Sequence, residues 1–253
     1  GNAPLAFTRV SGQPLTKGVP GLFSYNGYHR GFQAVVGDVT KQLADEQSWV
    51  LGVKPDVAKG LDALSAPGKL LDDVRRLYLT EYASAWEDFI RDVRLVPVTS
   101  IAQSVQTTRV LSAPDSPLPP LLKGMSRETT LLAGNTALET ASNTVRGAVQ
   151  TTKDKVLSSL GTRPLTSGAP AQRIESIVDD RFVGLRRMVT APDGGKAPIE
   201  GVIARLGELQ VHLTAVDSAL KGGGAPQPSP LPNQLKAEAA NSPEPVRSLL
   251  ENL

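Results

Sequence analysis

The chain contains no cysteine, so a disulfide framework, a thiolate metal site and a cysteine nucleophile are all excluded. Histidine is almost as scarce: His29 and His212 lie far apart in sequence and make no pair at metal-ligand spacing. No apolar run approaches the roughly 20 residues that a membrane-spanning helix needs, and no charged-then-apolar leader opens the chain. Neither sign of charge dominates. The 27 Lys and Arg stand against 25 Asp and Glu, interspersed to a formal +2, which leaves no footprint for nucleic acid or anionic lipid. A phosphate loop of Walker type requires a glycine five residues before its Gly-Lys. Gly195-Lys196 has Thr190 at that place and Gly68-Lys69 has Ala63, so both fail. There is no Gly-x-Ser-x-Gly elbow. The chain opens at Gly1 rather than Met, which suggests a piece of a longer polypeptide.

What is present is ordinary for a soluble globular protein: 253 residues, 40% hydrophobic and 21% charged. The strongest pattern is helical. From Lys69 to Val93, the residues Leu70, Val74, Leu77, Tyr78, Tyr82, Trp86, Phe89 and Val93 recur at steps of three and four, which places them on one face. Asp72 with Arg76 and Glu87 with Arg91 are acid-then-base pairs on the other face. Pro97 stops this helix, and Thr99 or Ser100 caps the next, from about Ile101 to Leu111. Asp115-Ser116-Pro117 reads as an N-cap followed by proline in the first turn, backed by Leu118, Leu121, Leu122 and Met125.

Weaker stripes surround these. Phe32, Val35, Val36, Val39, Leu43 and Trp49 predict a helix that Gly52 ends. Ala133 to Leu160 predicts long helices with a thin apolar face, and Gly161 to Pro170 a linker. Arg173 to Val189 predicts one amphipathic helix. Pro198 opens another, with Val202, Leu206, Leu209, Leu213, Val216 and Leu220 facing inward and Gly222-Gly223-Gly224 closing it. Gly222 to Pro232 is a second linker, ahead of a short terminal helix around Val246 to Leu253. The expected architecture is all-α, an elongated bundle or two packed helical lobes, with little or no β. Its division runs 1–122, an N-terminal lobe; 123–220, a long-helix lobe; 221–233, a Gly/Pro linker; and 234–253, a terminal helical segment. The aromatics support that asymmetry, since all but Phe182 precede Arg91.

Candidates for chemistry are few. VPGLFSYNGYHRGF, Val19 to Phe32, concentrates aromatics in a chain that is only 4% aromatic. Pro20-Gly21 and Asn26-Gly27 are turn-forming pairs, so Phe23 and Tyr25 are expected in a loop pinned to the bundle, with Tyr28 and Phe32 entering the next helix. The cluster then acts as a structural plug, and His29 within it is expected to make a structural hydrogen bond. His212 falls beside the Leu209 stripe as a core-boundary residue. Glu175 and Asp179, four apart, have the spacing of an acid–base pair. With Arg173, Arg181, Arg186 and Arg187 nearby, a salt-laced solvated face is the preferred reading.

The motifs VPGLFSYNGYHRGF, DEQSWVLG (Asp45 to Gly52), DDVRRLYLTEYASAWEDFIRDVRLVP (Asp72 to Pro97) and LSAPDSPLPPLL (Leu111 to Leu122) together resemble, in the same order, the TssM/IcmF family of bacterial type VI secretion systems. The positions that carry the resemblance are Pro20, Gly21, Phe23, Tyr25, Gly27, Tyr28, Trp49, Gly52, Tyr78, Tyr82, Trp86, Ser116 and Pro117. It is specific across Leu15 to Leu132 and returns softly at Asp179 to Val189. The resemblance implies a periplasmic helical region of an inner-membrane protein, ahead of a β-rich domain that this chain does not reach. It implies a scaffold role in a trans-envelope complex, with the TssJ lipoprotein, TssL and further TssM copies as partners, and no cofactor. A different class, an envelope hydrolase acting on peptidoglycan through Glu81, Glu175 or Asp179, needs two carboxylates facing across an open cleft.

Overall fold

Most of the apolar periodicity becomes helix in the computed structural model, which describes residues 2–50, 62–132, 173–192 and 195–253. A short helix α1 (Ala3–Ala6) leads into strand β1 (Phe7–Arg9), which pairs antiparallel with β2 (Val93–Leu95) in the register Phe7 to Leu95, Thr8 to Arg94 and Arg9 to Val93. This ribbon is the only sheet among the described residues. It fastens the N-terminus to the end of the long helix α3 (Asp62–Asp92). Phe7, Val93 and Leu95 are buried beneath it.

A 3-10 turn (Gly21–Phe23) and a π-helical turn (Gly27–Phe32) precede α2 (Gln33–Val50), which packs on α3. The expected α2 stripe is corrected in part: Val36 is buried, but Val35 and Val39 are exposed. The face that turns inward follows steps of four from Tyr28 through Phe32 and Val36 to Thr40, because the wide π turn resets the phase of the helix behind it. On α3 the buried face is Tyr78, Leu79, Tyr82, Ala83, Trp86 and Ile90. Leu77, predicted to share it, is 64% exposed. It lies one residue, about 100° of helical turn, from Tyr78.

Helix α4 (Ile101–Ser112) starts at the expected cap: Ser100 Oγ accepts from Gln103 N at 3.3 Å, while the Gln103 side chain accepts from Thr99 N at 2.8 Å. Helix α5 (Leu118–Glu128) begins one residue later than Ser116-Pro117 predicts. Pro117 occupies the cap position and Ser116 Oγ accepts from Leu118 N at 3.3 Å, while Asp115 accepts from the Asn2 side chain instead. The helix predicted over Arg173 to Val189 is two helices, α6 (Ser176–Asp179) and α7 (Val183–Val189), bent at Phe182. Val178, Asp179 and Phe182 on either side of the break are all buried. Helix α8 (Pro198–Lys221) opens at its proline and ends at Gly222-Gly223, where Gly223 has φ +74°. Its stripe fades: Val202, Leu206 and Leu209 are buried, Leu213 and Val216 half-buried, and Leu220 exposed. Helices α9 (Leu231–Asn241) and α10 (Val246–Glu251) complete the described chain.

The fold is predominantly α with little β, as the periodicity predicts. One connected buried cluster runs from Ala6 through Tyr82, Leu122, Val178 and Leu206 to Leu250. The most extensive helix–helix contact is between α4 and α8. The readings made for Ala133 to Pro170, and Gly52, lie outside the described residues.

Candidate functional site

Several of the residues that carry the family resemblance, Phe23, Tyr28, Tyr78, Tyr82 and Trp86, meet in one place. The turn Gly21–Phe23 lies across α3, and the polar-tipped rings Tyr78, Tyr82 and Trp86 of α3 each reach a backbone group of it or of α5. Trp86 Nε1 donates to Phe23 O at 2.8 Å, Tyr78 Oη donates to Leu22 O, and Tyr82 Oη donates to Glu128 O at 2.6 Å. Rings fill the space between. Phe23 meets Tyr82 edge-on at 6.2 Å, and Phe32 stacks on Tyr78 at 3.8 Å. Phe23 and Tyr25 are half-buried and Tyr28 fully buried, so the loop-pinned arrangement holds. Burial pushes Tyr78 up to about 12, and raises Tyr82 and Tyr28 further from the ordinary phenol range. These hydroxyls are neutral donors at any physiological pH.

Gly27 is fixed by sterics. A Cβ there would lie 2.1 Å from Gly21 O and 2.5 Å from Leu22 O, a clash with backbone that no rotamer relieves. Its N–H donates to Ser24 Oγ at 3.0 Å. Trp49 lies within α2. Pro20 precedes the 3-10 turn and Phe23 N donates back to its carbonyl at 2.8 Å.

The two acids flagged for their spacing are not on a solvated face, and that reading is corrected. Glu175 Oε1 accepts from Tyr28 Oη at 2.7 Å. Asp179 is 4% exposed and accepts from Leu131 N at 2.8 Å and Leu132 N at 3.2 Å, with Arg186 Nη1 at 3.5 Å. Burial raises the Asp179 carboxyl above its ordinary range, and the two N–H donors and Arg186 pull against that. Glu175 therefore ties the start of α6 to the π turn and Asp179 ties its end to residues 131–132, rather than the two facing across a cleft. Glu81 is exposed on α3, remote from both in sequence.

His29 makes the expected structural contact, with Nε2 3.1 Å from Leu131 O and its ring 4.3 Å from that of Tyr25. His212 is half-buried on α8. Two contributors carried no sequence signal strong enough to single them out. Glu128 accepts from Tyr25 N at 2.8 Å through its side chain and from Tyr82 through its carbonyl. Asp92 accepts from Arg9, Ser11 N and Ser11 Oγ at 2.6 to 2.7 Å, and the Ser11 hydroxyl is the first reason its carboxyl lies below the ordinary range.

Among the described residues, no group of three or more His, Asp or Glu is placed to hold a metal ion, and no helix is long and apolar enough to cross a membrane. What fold and site define is a helical module whose buried polar groups are engaged in its own architecture. Residues 1–130 match the IcmF-related family (intracellular multiplication and human macrophage-killing), which is more than half of the 253 residues. The chain belongs to the IcmF-related family. It is similar to the type VI secretion system component TssM1 of Pseudomonas aeruginosa, at 32% identity over 263 aligned residues that cover 100% of this chain and 23% of that protein. The chain thus spans less than a quarter of the length of that relative. No solved structure matches it.

Proposed function

We propose that this chain is a structural scaffold module from the periplasmic part of a TssM-type inner-membrane protein, helping to span the envelope and to assemble the trans-envelope type VI secretion complex. One observation supports the reading: the motif residues Phe23, Tyr28, Tyr78, Tyr82 and Trp86 converge on a single structural knot in which the polar tips of Tyr28, Tyr78, Tyr82 and Trp86 bond to backbone or to Glu175. A protein whose most distinctive residues fix the relative placement of helices works by shape. The module is accordingly not an enzyme. Its partners in this reading are the TssJ lipoprotein, TssL and further TssM copies.

The test is the mass of the purified chain by light scattering, alone and mixed with its cognate TssJ lipoprotein or with the rest of the periplasmic TssM segment. The scaffold reading expects a stoichiometric complex or self-assembly that Phe23→Ala weakens. A chain that stays monomeric in every mixture would count against an assembly role for this module.

A further inference from the structure

An open groove of about 600 Å³ lies beside the aromatic knot, between the turn at Tyr25-Asn26, the end of α5 and α7. Tyr25, Asn26, Ser126, Arg127, Thr130 and Arg186 line most of it. Its electrostatics are uneven. The Glu128 carboxylate is committed to Tyr25 N at 2.8 Å and to Arg127 Nη2 at 2.9 Å, and Asp179 is committed to the backbone of Leu131 and Leu132. Arg186 is less tightly held. Arg186, with a side chain 31% exposed, reaches Thr130 Oγ1 and Asp179 Oδ2 only at 3.5 Å and Asp179 O at 3.3 Å. Charge-assisted pairs close to about 2.7–2.9 Å, so this planar fork is under-engaged. Thr130 does not compete for an acceptor, because its hydroxyl already donates to Ser126 O at 2.7 Å. Arg127, 81% exposed, stands at the rim.

We propose that this groove binds an extended acidic peptide segment of a partner subunit. Arg186 takes a side-chain carboxylate with both arms of its guanidinium, Arg127 meets a second acid at the rim in exchange for Glu128, and the Tyr25 ring, backed by His29, forms the apolar wall between them. Two arginines with an aromatic ring between them suit a chain carrying two acids rather than a single small anion. The inference deepens the scaffold reading by naming the chemistry of one partner contact, and its failure leaves the light-scattering test untouched.

The test is fluorescence anisotropy of a labelled heptapeptide carrying two Glu residues, titrated with the whole chain at low and at physiological salt. Its Gln counterpart and a polyphosphate competitor are the controls. Saturable binding is expected, about tenfold weaker for the Gln peptide and about tenfold weaker again for Arg127→Glu or Arg186→Lys, since a lost charged fork contact is worth about that factor. Should Arg186→Lys lose its melting transition, Thr190→Glu, on the exposed end of α7, places a competing carboxylate at the groove and reads the same contact. Absence of saturable binding overturns the proposal. So does equal affinity for the Gln peptide, full displacement by polyphosphate at equal charge, or unchanged affinity in Arg127→Glu.

Discussion

Two parts of one core are held by different means. Around residues 20–32, α3 and α5, large rings carry polar tips, and three of these tips are bonded to a backbone carbonyl or carboxylate far away in sequence: Trp86 to Phe23, Tyr82 to Glu128, Tyr28 to Glu175. Between α4 and α8 the buried residues are Leu111, Ile199, Val202, Leu206 and Leu209, and the buried hydroxyls bond within their own helix, as Thr108 Oγ1 does to Ser104 O at 2.7 Å. The first region is specified by direction as well as volume. The second is specified by volume and period alone, and its hydroxyls only cover their own cost of burial. Positional precision in this module is therefore concentrated at the aromatic end.

Substitutions can break that contrast. Leu206→Ala, at a residue 1% exposed, should cost about 4 kcal/mol by opening a cavity in the aliphatic interface, read as a shift in urea midpoint at constant slope. Phe23→Ala should cost about 3 kcal/mol, less than a fully buried ring because Phe23 is half-buried, and an unchanged melting temperature would contradict the plug. Gly27→Ala should cost a similar amount, about 3 kcal/mol, by overpacking rather than by loss of contact; a variant as stable as the parent would show that the turn relaxes freely. The polar tips separate the regions most sharply. Tyr82→Phe strands the Glu128 carbonyl and should cost about 1–2 kcal/mol, whereas Thr108→Val removes a bond internal to one helix and should stay within about 0.5 kcal/mol, so equal effects in calorimetry would erase the distinction.

The smallest effects are on pH dependence and have opposite signs at two carboxylates. Asp92 has a folded pKa held low by Ser11, so its contribution is present above the ordinary aspartate value of about 3.9 and is lost as pH falls through the folded value. Asp179 has a folded pKa raised by burial, so its contribution is present below that ordinary value and is lost as pH rises through the folded one. Urea midpoints at acid, intermediate and neutral pH should show Asp92→Asn flattening the acid loss and Asp179→Asn flattening the loss toward neutrality. Both variants changing with pH in the same sense would contradict the assignment.

The helices, the Ser100 cap, the Pro198 start of α8, and the pinned aromatic turn are legible from local rules, because each depends on residues within a few positions of one another. The failures share one cause. Val35, Val39 and Leu77 fit an inward stripe by hydrophobicity, but the π turn ahead of α2 and the line of large rings on α3 set which phase wins. Glu175 and Asp179 look like surface acids because their partners, Tyr28 and the amides of Leu131 and Leu132, lie 47 to 147 residues away. No window of sequence contains both halves of such a bond, and the same is true of Glu128 with Tyr25 and of Asp92 with Arg9.

The grip of Asp179 on the amides of Leu131 and Leu132 also says something about connectivity. Residues 131–132 and α6 lie side by side, and the buried core is shared between the described residues before Leu132 and those after Arg173. These two stretches are therefore joined by a directional bond as well as by shared apolar packing.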